Sequence, residues 1–216
     1  MPERVIRFYF DYVSPNAYLA WTKLAALAQQ CAYVIEPVPV LFAGLLEAHR
    51  QLGPAEVPPK MRWMWKNIAR KAAIAGIDLN PPAFHPFNPL LALRASSLSL
   101  AAAKRHTLIS ALFDGVWVRS LHFSDPAVVE KIANEAGLDG RALIAQAQQP
   151  ESKGRLRSQT DRAIAAGVFG VPTMIVGDEL FWGYDDLLFL RRFMDSGGTD
   201  RGETSWVAPK PSAVRS

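Results

Sequence analysis

FDYVSPNAYLAWTKLA, residues 10–25, is the stretch on which the reading of the fold turns. The run that leads into it, VIRFYFDYV (5–13), is β-branched and aromatic and has the composition of a buried strand. Ser14-Pro15 stands where the pattern changes, and the Ala-rich residues that follow predict a helix over 14–30. Ser is a favoured N-cap and Pro a favoured first helical residue. No Glu or Gln occupies position 17, so the reciprocal capping box is missing. Ser14 therefore has two readings: a helix cap and nothing more, or a hydroxyl aimed at a ligand. A second run, AYVIEPVPV (32–40), reads as a strand, with Pro37 and Pro39 near its end, where a lost N–H is tolerated. Strand, helix and strand within about 40 residues make a βαβ unit with parallel strands.

From Leu41 onward the periodicity is helical. LFAGLLEAHR is a short helical piece and GPAEVPP a loop. In KMRWMWKNIARKAAIAG (60–76), Met61, Met64, Trp65, Ile68 and Ala72 recur at helical spacing. Lys60, Arg62, Lys66, Arg70 and Lys71 are assigned to the opposite, solvated face. DLNPPAFHPFNP, with Pro81, Pro82, Pro86 and Pro89, cannot form regular structure. Helical patterns then run through LLALRASSLSLAAAKR, HTLISALFDGVWVRS, DPAVVEKIANEAG, DGRALIAQAQ and ESKGRLRSQTDRAIAAG. Asp125-Pro126 predicts an N-cap and first-turn pair, and Gly137 a C-terminal cap. Beyond Gly167, VPTMIV, a Gly177-Asp178 turn and ELFW predict a hairpin, and YDDLLFLRRFM a closing amphipathic helix.

The order is βαβ, a helical block, then ββα. A thioredoxin-like four-stranded sheet with a large all-helical insertion accounts for it, an α/β fold. The expected units are a discontinuous thioredoxin-like domain over 1–40 and 167–196 and an insertion domain over 41–166. The polar, Gly- and Pro-rich residues 197–216 are expected to form a mobile tail.

Composition narrows the function. The 216 residues are 50% apolar and 20% charged, with a mean hydropathy of +0.04, which suits a folded domain with a sizeable core. Arg4, Arg7 and Asp11 interrupt the first apolar run, so no secretory signal is visible, and no apolar stretch has the length of a membrane span. A cytoplasmic location is expected. A single cysteine, Cys31, excludes an intrachain disulfide or a CxxC redox pair, and it reads as a small buried hydrophobe. His49, His85, His106 and His122 have no ligand-like spacing, so no metal site is expected. The net charge of +4 suits small anionic ligands and argues weakly for nucleic acid, which is not an expected partner.

Three places carry candidate chemistry. In the thioredoxin-like plan, the helix that starts at Ser14 opens at the carboxyl end of the sheet, where open α/β folds bind ligands. A helix N-terminus offers free N–H groups and partial positive charge, which favour a thiolate. A serine there cannot be a redox nucleophile, but it can donate a hydrogen bond to a thiolate brought by another molecule. Val171-Pro172, just before the hairpin, falls where a cis-proline loop faces the first helix, with backbone groups able to pair with an extended peptide; an ordinary trans turn is the alternative. Asp185 and Asp186 open the last helix and either compensate its dipole or receive a ligand ammonium.

FDYVSPNAYLA, VPPKMRWMWKNIAR, FHPFNPLLALR, GLDGRALIAQAQQPESKGRL and GVFGVPTMIVGDELFWGYDDLLFL together resemble the 2-hydroxychromene-2-carboxylate isomerases, relatives of the kappa-class glutathione transferases with a DsbA-like thioredoxin fold. The similarity runs from about Phe8 to Phe193. The resemblance implies a homodimer that binds glutathione as a cofactor and acts on a small aromatic carboxylate. It implies that Ser14 holds the sulfur, that Val171 beside Pro172 pairs with the cysteinyl part, and that Asp185, with Tyr184 beside it, meets the γ-glutamyl end. Lys60 falls where the family has a lysine near the ligand, and Asn88 matches an asparagine near the substrate cleft. Where the family often has Thr-Gly-Asn, this chain has His49-Arg50-Gln51, which leaves Gln51 as a longer amide in that place. The reaction implied is interconversion of 2-hydroxychromene-2-carboxylate and trans-o-hydroxybenzylidenepyruvate. A conjugating glutathione transferase, a thiol-disulfide oxidoreductase and a non-catalytic binding module are the alternatives.

Overall fold

A computed structural model describes residues 4–199. The chain runs β1 (Val5–Phe10), α1 (Pro15–Gln30), β2 (Val34–Pro39) and α2 (Phe42–Ala48). A 3-10 turn (Pro54–Glu56) leads into α3 (Pro58–Ala75), followed by α4 (Leu90–Ser96), α5 (Ala102–Trp117) and α6 (Pro126–Glu135). Then come α7 (Gly140–Ala147), α8 (Pro150–Ala165), β3 (Thr173–Val176), β4 (Glu179–Trp182) and α9 (Leu187–Asp195). The expected tail lies outside the described residues from position 200 onward.

The sheet order is β2-β1-β3-β4. β1 is parallel to β2, with Val5 opposite Val34 and Phe10 opposite Pro39, and antiparallel to β3, with Arg7 opposite Ile175. β3 and β4 form the expected hairpin, with Thr173 opposite Trp182 and Gly177 turning the chain at φ 63°. This mixed sheet, with its helical block between the second and third strands, is the thioredoxin-like plan. Pro37 and Pro39 are tolerated because β2 is an edge strand, whose outer N–H positions have no ladder partner.

The alternation of β1 separates two layers. Ile6, Phe8 and Phe10, all fully buried, pack with Leu19, Phe113 and Met174. Tyr9 points the other way, against Leu45, Ala163, Val168 and Ile175. With both faces covered by helices, each Phe contributes roughly 1.5–3 kcal/mol of transfer free energy. Tyr12 and Trp117, also fully buried, extend the core to the carboxyl end of β1.

Two helix boundaries differ from the sequence expectation. LLALRASSLSLAAAKR is not one helix. The Ser96 and Ser97 hydroxyls donate back to the Ala92 and Leu93 carbonyls (2.9 and 2.8 Å), and Arg105 Nε takes the Ser96 carbonyl at 3.0 Å. These bonds satisfy the end of α4 and let the chain turn before α5. GPAEVPP is shorter as a loop than expected: Glu56 Oε1 accepts from the Gly53 N–H at 2.7 Å over the 3-10 turn, and α3 already begins at Pro58.

Candidate functional site

The site is built where β1 ends. Asp11 is 1% exposed. Its Oδ1 accepts from the Val13 N–H (3.0 Å) and its Oδ2 from the Phe42 N–H (2.9 Å) at the start of α2, which has no cap of its own. Burial pushes the Asp11 carboxyl up to about 7, although these N–H groups hold it back. The next carbonyls are pinned as well. Trp117 Nε1–H donates to the Tyr12 carbonyl at 3.0 Å, and His85 Nε2 lies 2.9 Å from the Val13 carbonyl. A carbonyl only accepts, so His85 Nε2 carries the proton and Nδ1 is left as a bare acceptor. Among the described residues that Nδ1 is buried with no hydrogen-bond partner, and burial lowers the His85 pKa, which favours the neutral ring. Trp65, Phe87 and Trp117 surround it.

On this fixed turn, Ser14 caps α1. Its Oγ accepts from the Ala17 N–H at 3.2 Å and donates to the Val171 carbonyl at 3.3 Å. The Val171-Pro172 peptide is cis, as is His85-Pro86. The loop is held by Thr173 Oγ1, which donates to Gly170 (2.8 Å), and by the Gly183 N–H on the Pro172 carbonyl (2.8 Å). Among the described residues, no group accepts from the Val171 N–H. The helix terminus and the proline loop thus meet through one hydroxyl. Ser14 is 9% exposed: the hydroxyl is largely covered, and its proton is already engaged. Any ligand atom it serves must draw that proton from a long, weak bond.

The remaining predicted residues divide. Asp185 Oδ2 meets Lys71 Nζ at 2.6 Å, and the same ammonium lies 3.2 Å from Asn16 Oδ1 in the first turn of α1. Tyr184 presents its ring to Lys71 at 5.8 Å, and its hydroxyl pKa is raised by burial and by Asp185. Asp186 accepts from the Trp182 N–H at 2.9 Å and so ties the end of β4 to the start of α9. Gln51, Lys60 and Asn88 are exposed. Among the described residues Lys60 reaches only the Leu52 carbonyl (3.4 Å), and Asn88 Oδ1 accepts locally from the Leu90 N–H (3.0 Å). A hollow of ≈ 470 Å³ between α1 and the start of α9 is bordered by Tyr184 and Asp185 but not by Ser14.

Lys71 is misplaced by the sequence reading. It stands seven residues after Met64 and three after Ile68, on the buried stripe of α3, and its side chain is only 13% exposed. Asn16, Asp11 and His85 were also missed. A carboxylate at the end of an apolar run was the available signal for Asp11; a histidine between prolines gives none.

The DsbA-like thioredoxin domain family matches residues 5–195. A 2-hydroxychromene-2-carboxylate isomerase of Sphingobium xenophagum is 33% identical over 195 residues, 88% of this chain and 98% of that protein. A solved 2-hydroxychromene-2-carboxylate isomerase superposes with a TM-score of 0.80 at 31% identity, covering 89% of this chain and 95% of that one. A glutathione S-transferase kappa 2 of Caenorhabditis elegans is 27% identical over 188 residues, 82% of this chain and 84% of that protein. The chain belongs to the DsbA-like thioredoxin family and, within it, to the 2-hydroxychromene-2-carboxylate isomerase family. No helix among the described residues is long and apolar enough to cross a membrane.

Proposed function

We propose that the protein is a glutathione-dependent cis-trans isomerase that interconverts 2-hydroxychromene-2-carboxylate and trans-o-hydroxybenzylidenepyruvate, or a closely related intermediate of aromatic catabolism. The observation that carries this reading is the Ser14 hydroxyl, suspended between the α1 N-terminus and the Val171 carbonyl of the proline loop, in a chain 33% identical to a named isomerase. The residues fit a tripeptide thiol. The Val171 N–H, which meets no acceptor among the described residues, suits an extended peptide backbone, and Asp185, 71% exposed at its side chain, suits an ammonium. Bound glutathione supplies a thiolate whose reversible addition turns the conjugated double bond into a rotatable single bond. Ser14 turns its proton from Val171 to the sulfur, and the positive end of the α1 dipole favours the charged form. Lys60 and Asn88, with Gln51 in place of the family asparagine, bind the ligand or the substrate carboxylate from the rim. Asp11, Trp117 and His85 keep the turn before Ser14 in place, so the hydroxyl is held ready before ligand arrives.

A conjugating transferase is the second reading, favoured by the kappa-class relative. Glutathione with the chromene acid, and separately with 1-chloro-2,4-dinitrobenzene, separates the two. Glutathione-dependent isomerisation of the first supports the proposal; conjugation of the second alone replaces it. Ser14-Pro15-Asn16-Ala17 stands where an oxidoreductase needs CxxC, so no insulin reduction is expected. The proposal extends to a cytoplasmic homodimer, whose mass sedimentation equilibrium measures.

A further inference from the structure

Lys71 is a cation with little water around it. Its ammonium is shared between Asp185 Oδ2 (2.6 Å) and Asn16 Oδ1 (3.2 Å), and its side chain keeps 13% of its surface. Asp185 is at the rim, with 71% of its side chain exposed and Oδ1 without a partner among the described residues. The two charges come from different elements: Lys71 from α3, and Asp185 from the junction of β4 and α9. Asn16, which touches the ammonium, lies two residues beyond Ser14. The pair is therefore tied to the helix terminus that carries the proposed thiol site.

We infer that Lys71 and Asp185 form a two-signed receptor for the zwitterionic α-amino-acid end of glutathione, with the ligand ammonium on Asp185 and the ligand α-carboxylate on Lys71. The inference rests on the proposed glutathione site. A ligand that brought only an ammonium to Asp185 would draw away the counterion of a mostly buried lysine, and an unpaired buried charge is costly. A ligand that also brings a carboxylate returns a counterion to Lys71, so one ion pair becomes two. Asn16, a neutral acceptor, holds the ammonium in place through the exchange. Lys71 thus makes the α-carboxylate a requirement for binding.

The test is calorimetric titration of the full chain with glutathione and with 4-aminobutyryl-cysteinyl-glycine, the same tripeptide without the α-carboxylate. The wild type is expected to bind the analogue about tenfold or more weaker than glutathione. In Lys71→Met, glutathione affinity falls by about 10- to 100-fold and the two ligands become nearly equal. Lys71→Arg keeps the preference, and Lys71→Gln repeats the comparison should the Met variant fail to fold. If Lys71→Met binds glutathione as tightly as the wild type, or more tightly, Lys71 merely competes with the ligand ammonium and the inference is overturned. A preference for glutathione that persists in the Met variant overturns it too. A wild type that binds no glutathione removes the proposed function, and this inference with it.

Discussion

Replacing Ser14 by Ala removes one atom with three jobs, and the structure separates their sizes. The capping bond to the Ala17 N–H is worth about 1 kcal/mol. The bond to Val171 is 3.3 Å long, beyond the usual range for a hydroxyl donor, and adds at most about 0.5 kcal/mol. Ser14→Ala should therefore cost about 1–1.5 kcal/mol of stability, or roughly 2–6 °C in melting temperature for a chain of this size. The proposed third job is larger. A hydrogen bond to a thiolate is charge-assisted and worth about 1.5–3 kcal/mol. Less the Val171 bond given up, that leaves roughly 1–2 pH units on the thiol pKa of bound glutathione. The thiolate's ultraviolet absorbance, titrated for the glutathione complex of each protein, reads that shift directly. The variant's bound thiol should ionise about 1–2 pH units higher, and turnover near neutral pH should fall with it. A variant that melts a few degrees lower but leaves both the thiol pKa and the turnover unmoved would show that Ser14 is only a cap.

Other consequences are independent of glutathione. Burial raises the Asp11 carboxyl to about 7 in the folded protein, above its unfolded value, so the unfolded state binds fewer protons and Asp11 lowers stability as pH rises through 7. Between about pH 5.5 and 8.5 the wild type should lose about 2 kcal/mol that Asp11→Asn does not lose, read by urea denaturation of both at the two pH values; parallel losses would mean that Asp11 titrates normally. At Gly140, the first residue of α7, an added Cβ would sit only 2.3 Å from the Glu130 carbonyl of α6. Gly140→Ala should therefore destabilise by about 1–3 kcal/mol despite alanine's better helix propensity, and a raised denaturation midpoint would contradict that close approach. Trp117→Phe removes the donor that holds the Tyr12 carbonyl and leaves that buried acceptor unpaired, at a cost of about 1–3 kcal/mol in denaturant unfolding.

Much of the fold was legible because its signals are local. β1 and α1 meet at a Ser-Pro pair that works as cap and first-turn residue, and Gly177 turns the hairpin where expected. Asp125 and Gly137 bound α6 as read. What escaped depends on contacts between elements distant in sequence. Lys71 looks like one more charge on a basic helix, and only Asp185, 114 residues later, explains why it lies on the buried stripe. Asp11 reads as the polar end of a strand until the Phe42 N–H of α2 is brought to it. The break between α4 and α5 hid in serines that fit a helical period while their hydroxyls bonded back to the preceding turn. Within the candidate site, Ser14 and Val171 were legible as a pair because the thioredoxin-like plan dictates that they face each other. Lys60 and Asn88 rest on resemblance, and each makes only a local contact in the structure.

A crystal structure of the protein with bound glutathione would test the account most directly. The account predicts the sulfur within hydrogen-bond distance of Ser14 Oγ, with the hydroxyl turned away from the Val171 carbonyl and the cysteinyl backbone on the Val171 N–H. A sulfur lodged elsewhere, with Ser14 still donating to Val171, would contradict it.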